Sequence, residues 1–184
     1  MSHHAPRAAT LLADLVDEAA QALTHAHTQG QISFGHGTTN PYDEAAWLGL
    51  WSLQLPLDTD IEHDAQAITD AQREQALNWV AQRIATRKPA AYLTQEAWLQ
   101  GVPFYVDERA IVPRSLIAEV LAEGQIDLWL SNHTRRVLDL CTGNGSLAVL
   151  CALAWPEVEV TALDLSSEAL EVARINVAKH GLQA

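Results

Sequence analysis

The segment RRVLDLCTGNGSLAVLCALAWPEVEVTALD, Arg135 to Asp164, decides the fold. It opens with Val137, Leu138 and Leu140, a short apolar run bounded by turn signals, as a buried strand reads. Gly143 and Gly145 follow directly. Leu147, Ala148, Leu150, Cys151 and Leu153 then recur at helical spacing, and Pro156 stands where that helix cannot continue. A second apolar run alternates through Val158, Val160, Ala162 and Leu163 and stops at Asp164. Strand, glycine turn, helix, strand and acid in this order predict half of a nucleoside-binding α/β sheet.

Each position has a chemical reason. Closely spaced glycines let the backbone take positive φ and leave no Cβ between the turn and a ligand. The helix that follows presents free N–H groups and the positive end of its dipole. Asp164, nineteen residues beyond Gly145, falls at the carboxyl end of the second strand, where a carboxylate can accept bonds from both hydroxyls of a ribose.

Gly143-Asn144-Gly145-Ser146-Leu147-Ala148 satisfies the loose dinucleotide pattern GxGxxG/A, a weak signal when alone. Asp139, four residues before Gly143, competes with that reading. A carboxylate there would repel a pyrophosphate and suits a cationic group such as the ammonium of a methionine moiety. Asp139-x-x-x-Gly143-x-Gly145 resembles the first motif of the S-adenosylmethionine methyltransferases.

The 184 residues suit one domain or a small pair, and 48% hydrophobic content supports a real core. No apolar run approaches the ~20 residues needed to span a bilayer, so no membrane role is expected. His3 and His4 do not make a purification tag, and the N-terminus lacks a signal layout. Cys141 and Cys151 have no CxxC spacing and read as reduced thiols of a cytoplasmic protein. His25 and His27 point apart on a helix, and no metal site is expected. A formal charge of −12 argues against a phosphate-backbone partner and would steer a basic protein toward the surface.

In chain order, Ala8 to Gln29 reads as an amphipathic helix with Leu11, Leu12, Leu15, Val16, Ala19 and Leu23 on one stripe. Gln31 to Tyr42 is a loop, and Asp43 to Leu55 a helix whose Trp47, Leu50 and Trp51 point to core. Thr69 or Asp70 caps a third helix through Arg87, with Ala76, Leu77, Val80 and Ile84 inward. AYLTQEAWLQ and PFYV predict two strands around Gly101-Val102-Pro103. A helix is expected from Ser115 to Trp129 or Leu130, weakened by Gly124, and a last one from Ser166 to His180.

Three blocks carry a wider resemblance: GHGTTNPYDEAAWLGLWSLQLPLD (35–58), PAAYLTQEAWLQGVPFYVDERAIVPRS (89–115) and RRVLDLCTGNGSLA (135–148). They resemble consecutive blocks of the HemK/PrmB family, which methylates the side-chain amide nitrogen of glutamine with S-adenosylmethionine. Cys141 departs from the glycine of the release-factor branch. With VDERAIVPRS (106–115), it is similar to the branch whose substrate is a large-subunit ribosomal protein.

The resemblance implies a helical substrate-binding domain over 1–90, a β-hairpin connector over 91–108, and the N-terminal half of a Rossmann-like methyltransferase domain over 109–184. It also implies that Asp139, Cys141, Thr142, Gly143, Asn144, Gly145, Asp164 and Leu165 bind S-adenosyl-L-methionine, with Pro113, Arg114 and Glu119 bordering the active site. The family orients the glutamine amide with an Asn-Pro-Pro-Tyr motif, which is not in this sequence, so no catalytic residue is assigned. Asn40-Pro41-Tyr42 lacks the second proline and reads as a turn into a helix. The chain therefore reads as a truncated enzyme with weak cofactor binding and no turnover. The alternatives are a release-factor glutamine methyltransferase, a dinucleotide-binding oxidoreductase fragment, and a non-catalytic interaction module. Oligomeric state is not legible.

Overall fold

A computed structural model describes residues 10–65, 67–131 and 133–182. The chain divides into two compact units, Met1–Thr94 and Gln95–Ala184. Ala8 and the His3–His4 pair lie outside the described residues.

The first unit is helical apart from one short strand pair. It contains β1 (Thr10–Leu11), α1 (Leu12–Thr28), α2 (Pro41–Ser52), β2 (Ala67–Ile68), α3 (Asp70–Thr86) and α4 (Ala90–Thr94), with β1 and β2 antiparallel. Leu12, Leu15, Val16, Ala19, Leu23 and Ala26 form the buried stripe of α1, while Leu11 sits in β1 and is exposed. Leu48 and Leu50 of α2 and Ala76 and Val80 of α3 complete the core. Trp51 and Trp79 meet edge to face at 5.0 Å. Asn40 caps α2 by accepting the Asp43 N–H, and Pro41 holds its first position. The loop expected to reach Tyr42 therefore ends two residues sooner, because the Asn-Pro pair starts a helix instead of preceding one.

Burial in α3 differs from expectation at one position. Arg83 is only 1% exposed and shares the inward face with Ala76 and Val80. It is neutralised by Glu44 of α2, Nε to Oε1 2.5 Å, and donates from Nη2 to the Ser33 carbonyl at 2.8 Å. Thr38 donates to the other Glu44 oxygen at 2.7 Å, so this buried pair also fastens the 31–40 loop.

The second unit begins with a hairpin, β3 (Glu96–Leu99) and β4 (Val102–Tyr105). Its turn is Gln100-Gly101, both at positive φ, the two-residue geometry that matches strand twist. In the first unit, Ala91–Thr94, expected to be strand, belongs instead to the single helical turn α4. Pro103 lies inside β4 opposite Trp98 rather than in the turn.

Next comes α5 (Leu116–Ala122), capped by Ser115. The single long helix expected there is broken: Gly124 adopts φ 68, and Gln125–Trp129 continues as a 3₁₀ turn. A left-handed residue ends an α-helix, which is a stronger effect than the modest weakening anticipated.

The α/β layer follows: β5 (Arg136–Leu140), α6 (Ser146–Ala154), β6 (Glu159–Leu163) and α7 (Ser167–Lys179). β5 and β6 are parallel, with Asp139 opposite Ala162 and Leu140 opposite Leu163. The strands alternate. Val137, Asp139, Val160 and Ala162 share a half-buried face, whereas Leu138, Leu140 and Leu163 on the other are exposed. Among the described residues no helix is long and apolar enough to cross a membrane.

Candidate functional site

Every strand–helix junction of the α/β layer converges at the carboxyl ends of β5 and β6, where open parallel sheets hold their ligands. Leaving β5, the chain turns sharply. Cys141 has φ 61, Gly143 φ 57 and Gly145 φ 80, all in the left-handed region. The two glycines accept this at little cost, whereas Cys141 carries strain. The Thr142 N–H donates to the Leu163 carbonyl at 2.9 Å, which ties the turn to the last residue of β6. Gly145 N–H returns to the Thr142 carbonyl, and α6 opens from Gly145.

The two glycines have different surroundings. A Cβ on Gly143 would meet nothing within 4 Å, so the turn faces open space there. A Cβ on Gly145 would lie 2.9 Å from Cβ of Ala173 and 3.1 Å from its Cα. Gly145 is thus required by close packing of the turn on α7, and Gly143 leaves room for something outside the protein.

Asp164 completes the arrangement. One oxygen accepts the Gly143 N–H at 2.8 Å and the other the Ser166 N–H at 2.9 Å. These amides, Ser166 first and Gly143 second, hold its carboxyl below the usual carboxylate range, so it is ionised at neutral pH. Each oxygen keeps a further lone pair for an external donor. Leu165, next in sequence, is fully exposed beside it.

Asp139 lies on the half-buried face of β5 and accepts from the Thr142 hydroxyl at 2.5 Å. Asp139, Cys141, Thr142, Gly143, Asn144, Gly145, Asp164 and Leu165 therefore gather at one end of one sheet. Pro113 and Arg114 lie just before α5 and Glu119 on it, and α5 packs against α6: Pro113 is buried, while Arg114 and Glu119 are exposed. Cys151 in α6 is buried, and burial first, with the Asp139 charge second, pushes its thiol up to about 11. Both cysteines are free. No cluster able to hold a metal ion occurs among the described residues. A roomy cleft lined by Asp127, Thr134, Arg135, Trp155 and Pro156 lies at the amino ends of the strands, away from this turn.

Asn176 does not stand out in the sequence. It is completely buried in α7 and bonds to the Asn144 carbonyl at 2.9 Å. A signal did exist: Ala169, Val172 and Ala173 form the inward stripe of α7, and position 176 continues it with a polar residue.

Residues 118–184 match the Methyltransferase small domain family. The chain is 48% identical over 175 residues to a protein from Bordetella pertussis named ribosomal protein uL3 glutamine methyltransferase, covering 94% of this chain and 57% of that protein. A protein of the same name from Burkholderia pseudomallei is 48% identical over 157 residues, covering 84% and 51%. Another from Bradyrhizobium diazoefficiens is 45% identical over 161 residues, covering 84% and 50%. The chain spans about half the length of the curated relatives it matches.

Proposed function

We propose that the chain belongs to the PrmB-like family of protein glutamine methyltransferases and that the full-length protein methylates a glutamine side-chain amide of ribosomal protein uL3. The donor is S-adenosyl-L-methionine, bound at the turn between β5 and α6. The observation that carries this reading is the ionised Asp164 fastened to the N–H of Gly143, beside a glycine whose missing side chain leaves the turn open.

The residues present fit such a ligand. Asp164 has acceptor capacity left for two ribose hydroxyls, and Gly143 admits a close approach to the backbone. Asp139 supplies a second carboxylate, suited to the ammonium of the methionine end, with Cys141, Thr142, Asn144, Gly145 and Leu165 lining the turn. Bound there, the donor supplies a methyl group on a sulfonium. What these residues contribute is binding and orientation. Activating the poorly nucleophilic amide needs in-line positioning and acceptors for its NH2 group. No Asn-Pro-Pro-Tyr occurs in residues 1–184, and Asn40-Pro41-Tyr42 is the capped start of α2. These residues alone should bind the donor weakly and give no turnover.

The helical unit is read as the domain that helps bind the protein substrate, residues 91–108 as a connector, and 109–184 as the first half of a Rossmann-like domain. Pro113, Arg114 and Glu119 are read as bordering the active site. An acidic surface, with formal charge −12, favours a basic substrate protein, and nucleic acid and membrane partners are not expected. The protein is read as cytoplasmic.

The test is methyl transfer by the full-length protein to purified uL3 and, side by side, to a peptide-chain release factor. Transfer to uL3 alone is expected; transfer to the release factor alone would move the protein to the other branch. Titration with S-adenosylhomocysteine and with NAD separates this reading from an oxidoreductase, which would bind only NAD.

A further inference from the structure

The amide of Asn176 joins three segments of the second unit. Its Oδ1 accepts the Tyr105 N–H at 2.7 Å. Its Nδ2 donates to the Tyr105 carbonyl at 2.9 Å and to the Asn144 carbonyl at 2.9 Å. Just past the end of α7, at its C-cap, His180 Nε2 lies 2.9 Å from the Pro103 carbonyl, and its ring packs on Phe104 at 5.4 Å. So α7 and its C-cap grip the backbone of β4 twice, and through Asn176 the same grip reaches the glycine turn. Ala173, one turn earlier, presses on Gly145.

The residue type is demanding. Asparagine offers both an acceptor and two donors, which the two carbonyls and one N–H require. A carboxylate would face two carbonyls, and an apolar side chain would take this partner from three main-chain groups, the buried Asn144 carbonyl and the half-buried N–H and carbonyl of Tyr105. The turn it holds contains three left-handed residues, a conformation that persists only where the surroundings over-determine it.

We infer that Asn176 is a positioning residue for the donor site: it locks the Gly143–Gly145 turn, through the Asn144 carbonyl, to strand β4 of the hairpin. It acts through the turn and touches no substrate. Donor affinity then depends on the order of the hairpin. This rests on reading the turn as the donor-binding element.

In the full-length protein, S-adenosylhomocysteine is titrated by calorimetry into wild type, N176D and N176S, with the thermal midpoint of each. Methyl transfer is measured with each substrate varied in turn. N176D should bind at least about tenfold more weakly, and N176S, whose hydroxyl can donate one bond, should lose less. The KM for the methyl donor should rise while that for the protein substrate stays constant. Wild-type affinity in a folded variant overturns the inference, as does an equal rise in both KM values, which a general loss of stability would give. A measurement free of variants is hydrogen exchange in wild type: S-adenosylhomocysteine should slow exchange of the Tyr105 amide together with that of Gly143, and an unchanged Tyr105 overturns the inference. A wild type that does not bind S-adenosylhomocysteine at all brings down the donor-site reading, and this inference with it.

Discussion

The carboxylate of Asp164 accepts the backbone N–H of Gly143 at 2.8 Å, so the acid that ends β6 is fastened to the turn that follows β5. Two segments far apart in sequence become one rigid edge, and the acid is fixed before any ligand arrives. Such preorganisation lowers the ordering cost of binding. Because Asp164 also accepts the Ser166 N–H at the start of α7, replacing it affects the helix cap as well as the site.

Asp164→Ala should weaken S-adenosylhomocysteine binding about ten- to a hundredfold, the worth of one or two hydrogen bonds to a charged group. Asp164→Asn, which keeps the shape and loses the charge, should fall between Ala and wild type. Calorimetric titration measures both. An unchanged dissociation constant in Asp164→Ala would remove this residue from the site.

The glycines should separate. Both sit at positive φ, so alanine at either carries about 1–2 kcal/mol of left-handed strain. Gly145→Ala adds an overlap with Ala173 at 2.9 Å, whereas a Cβ on Gly143 meets nothing. Urea unfolding should therefore show Gly145→Ala as the less stable variant. Gly143→Ala should lose more affinity for S-adenosylhomocysteine than its stability alone explains. Equal midpoints for the two would contradict the packing described for Gly145.

The α/β layer was legible because its elements are long enough to show their period. Val158, Val160 and Ala162 alternate, and Leu170, Val172, Ala173 and Val177 recur at helical spacing. The resulting convergence of Asp139, the glycine turn and Asp164 follows from parallel pairing of two consecutive strands. What stayed hidden has physical reasons. Ala90–Thr94 is a single turn, too short to display a period, and its Tyr92 and Thr94 favour strand in isolation. Gly124 gave a propensity, not the positive φ that stops the helix. Arg83 and Asn176 both sit at core-phase positions and were invisible to a reading that looks for apolar stripes. Each is tolerated because a partner distant in sequence satisfies it: Glu44 for one, Tyr105 and Asn144 for the other.

Acid stability should depend on Asp107. Arg109 chiefly, with Tyr105 as a second hydrogen-bond donor, holds its carboxyl down to about 2 from an ordinary 3.8. The folded value lies below the unfolded one, so the unfolded chain binds more protons between the two. The stabilisation is complete above about pH 4 and disappears as pH falls toward 2. Asp107→Asn should flatten the loss of thermal midpoint across that window and change little near neutrality. A variant with the same slope as wild type between pH 4 and 2 would place the acid sensitivity elsewhere, with Asp164 the next group to examine.

The strongest stability effect should come from the helical unit, at Arg83. Its side chain and that of Glu44 are each only 2% exposed, so burial keeps solvent from taking the place of a lost partner. Arg83→Met keeps the volume and removes the charge. It leaves the Glu44 carboxylate buried without its cation and the Ser33 carbonyl without a donor. Breaking a buried pair from one side costs about 3–5 kcal/mol, because the remaining charge stays desolvated. Removing both charges, as in Arg83→Met with Glu44→Met, should recover much of that loss, though Thr38 then loses its acceptor. Urea unfolding of the four proteins forms a double-mutant cycle whose interaction energy should be large and of a sign that favours the double variant. Limited proteolysis should also cut the 31–40 loop sooner in Arg83→Met, since Ser33 and Thr38 are held through this pair. A single variant that unfolds at the wild-type midpoint with an intact loop would mean that the pair anchors nothing.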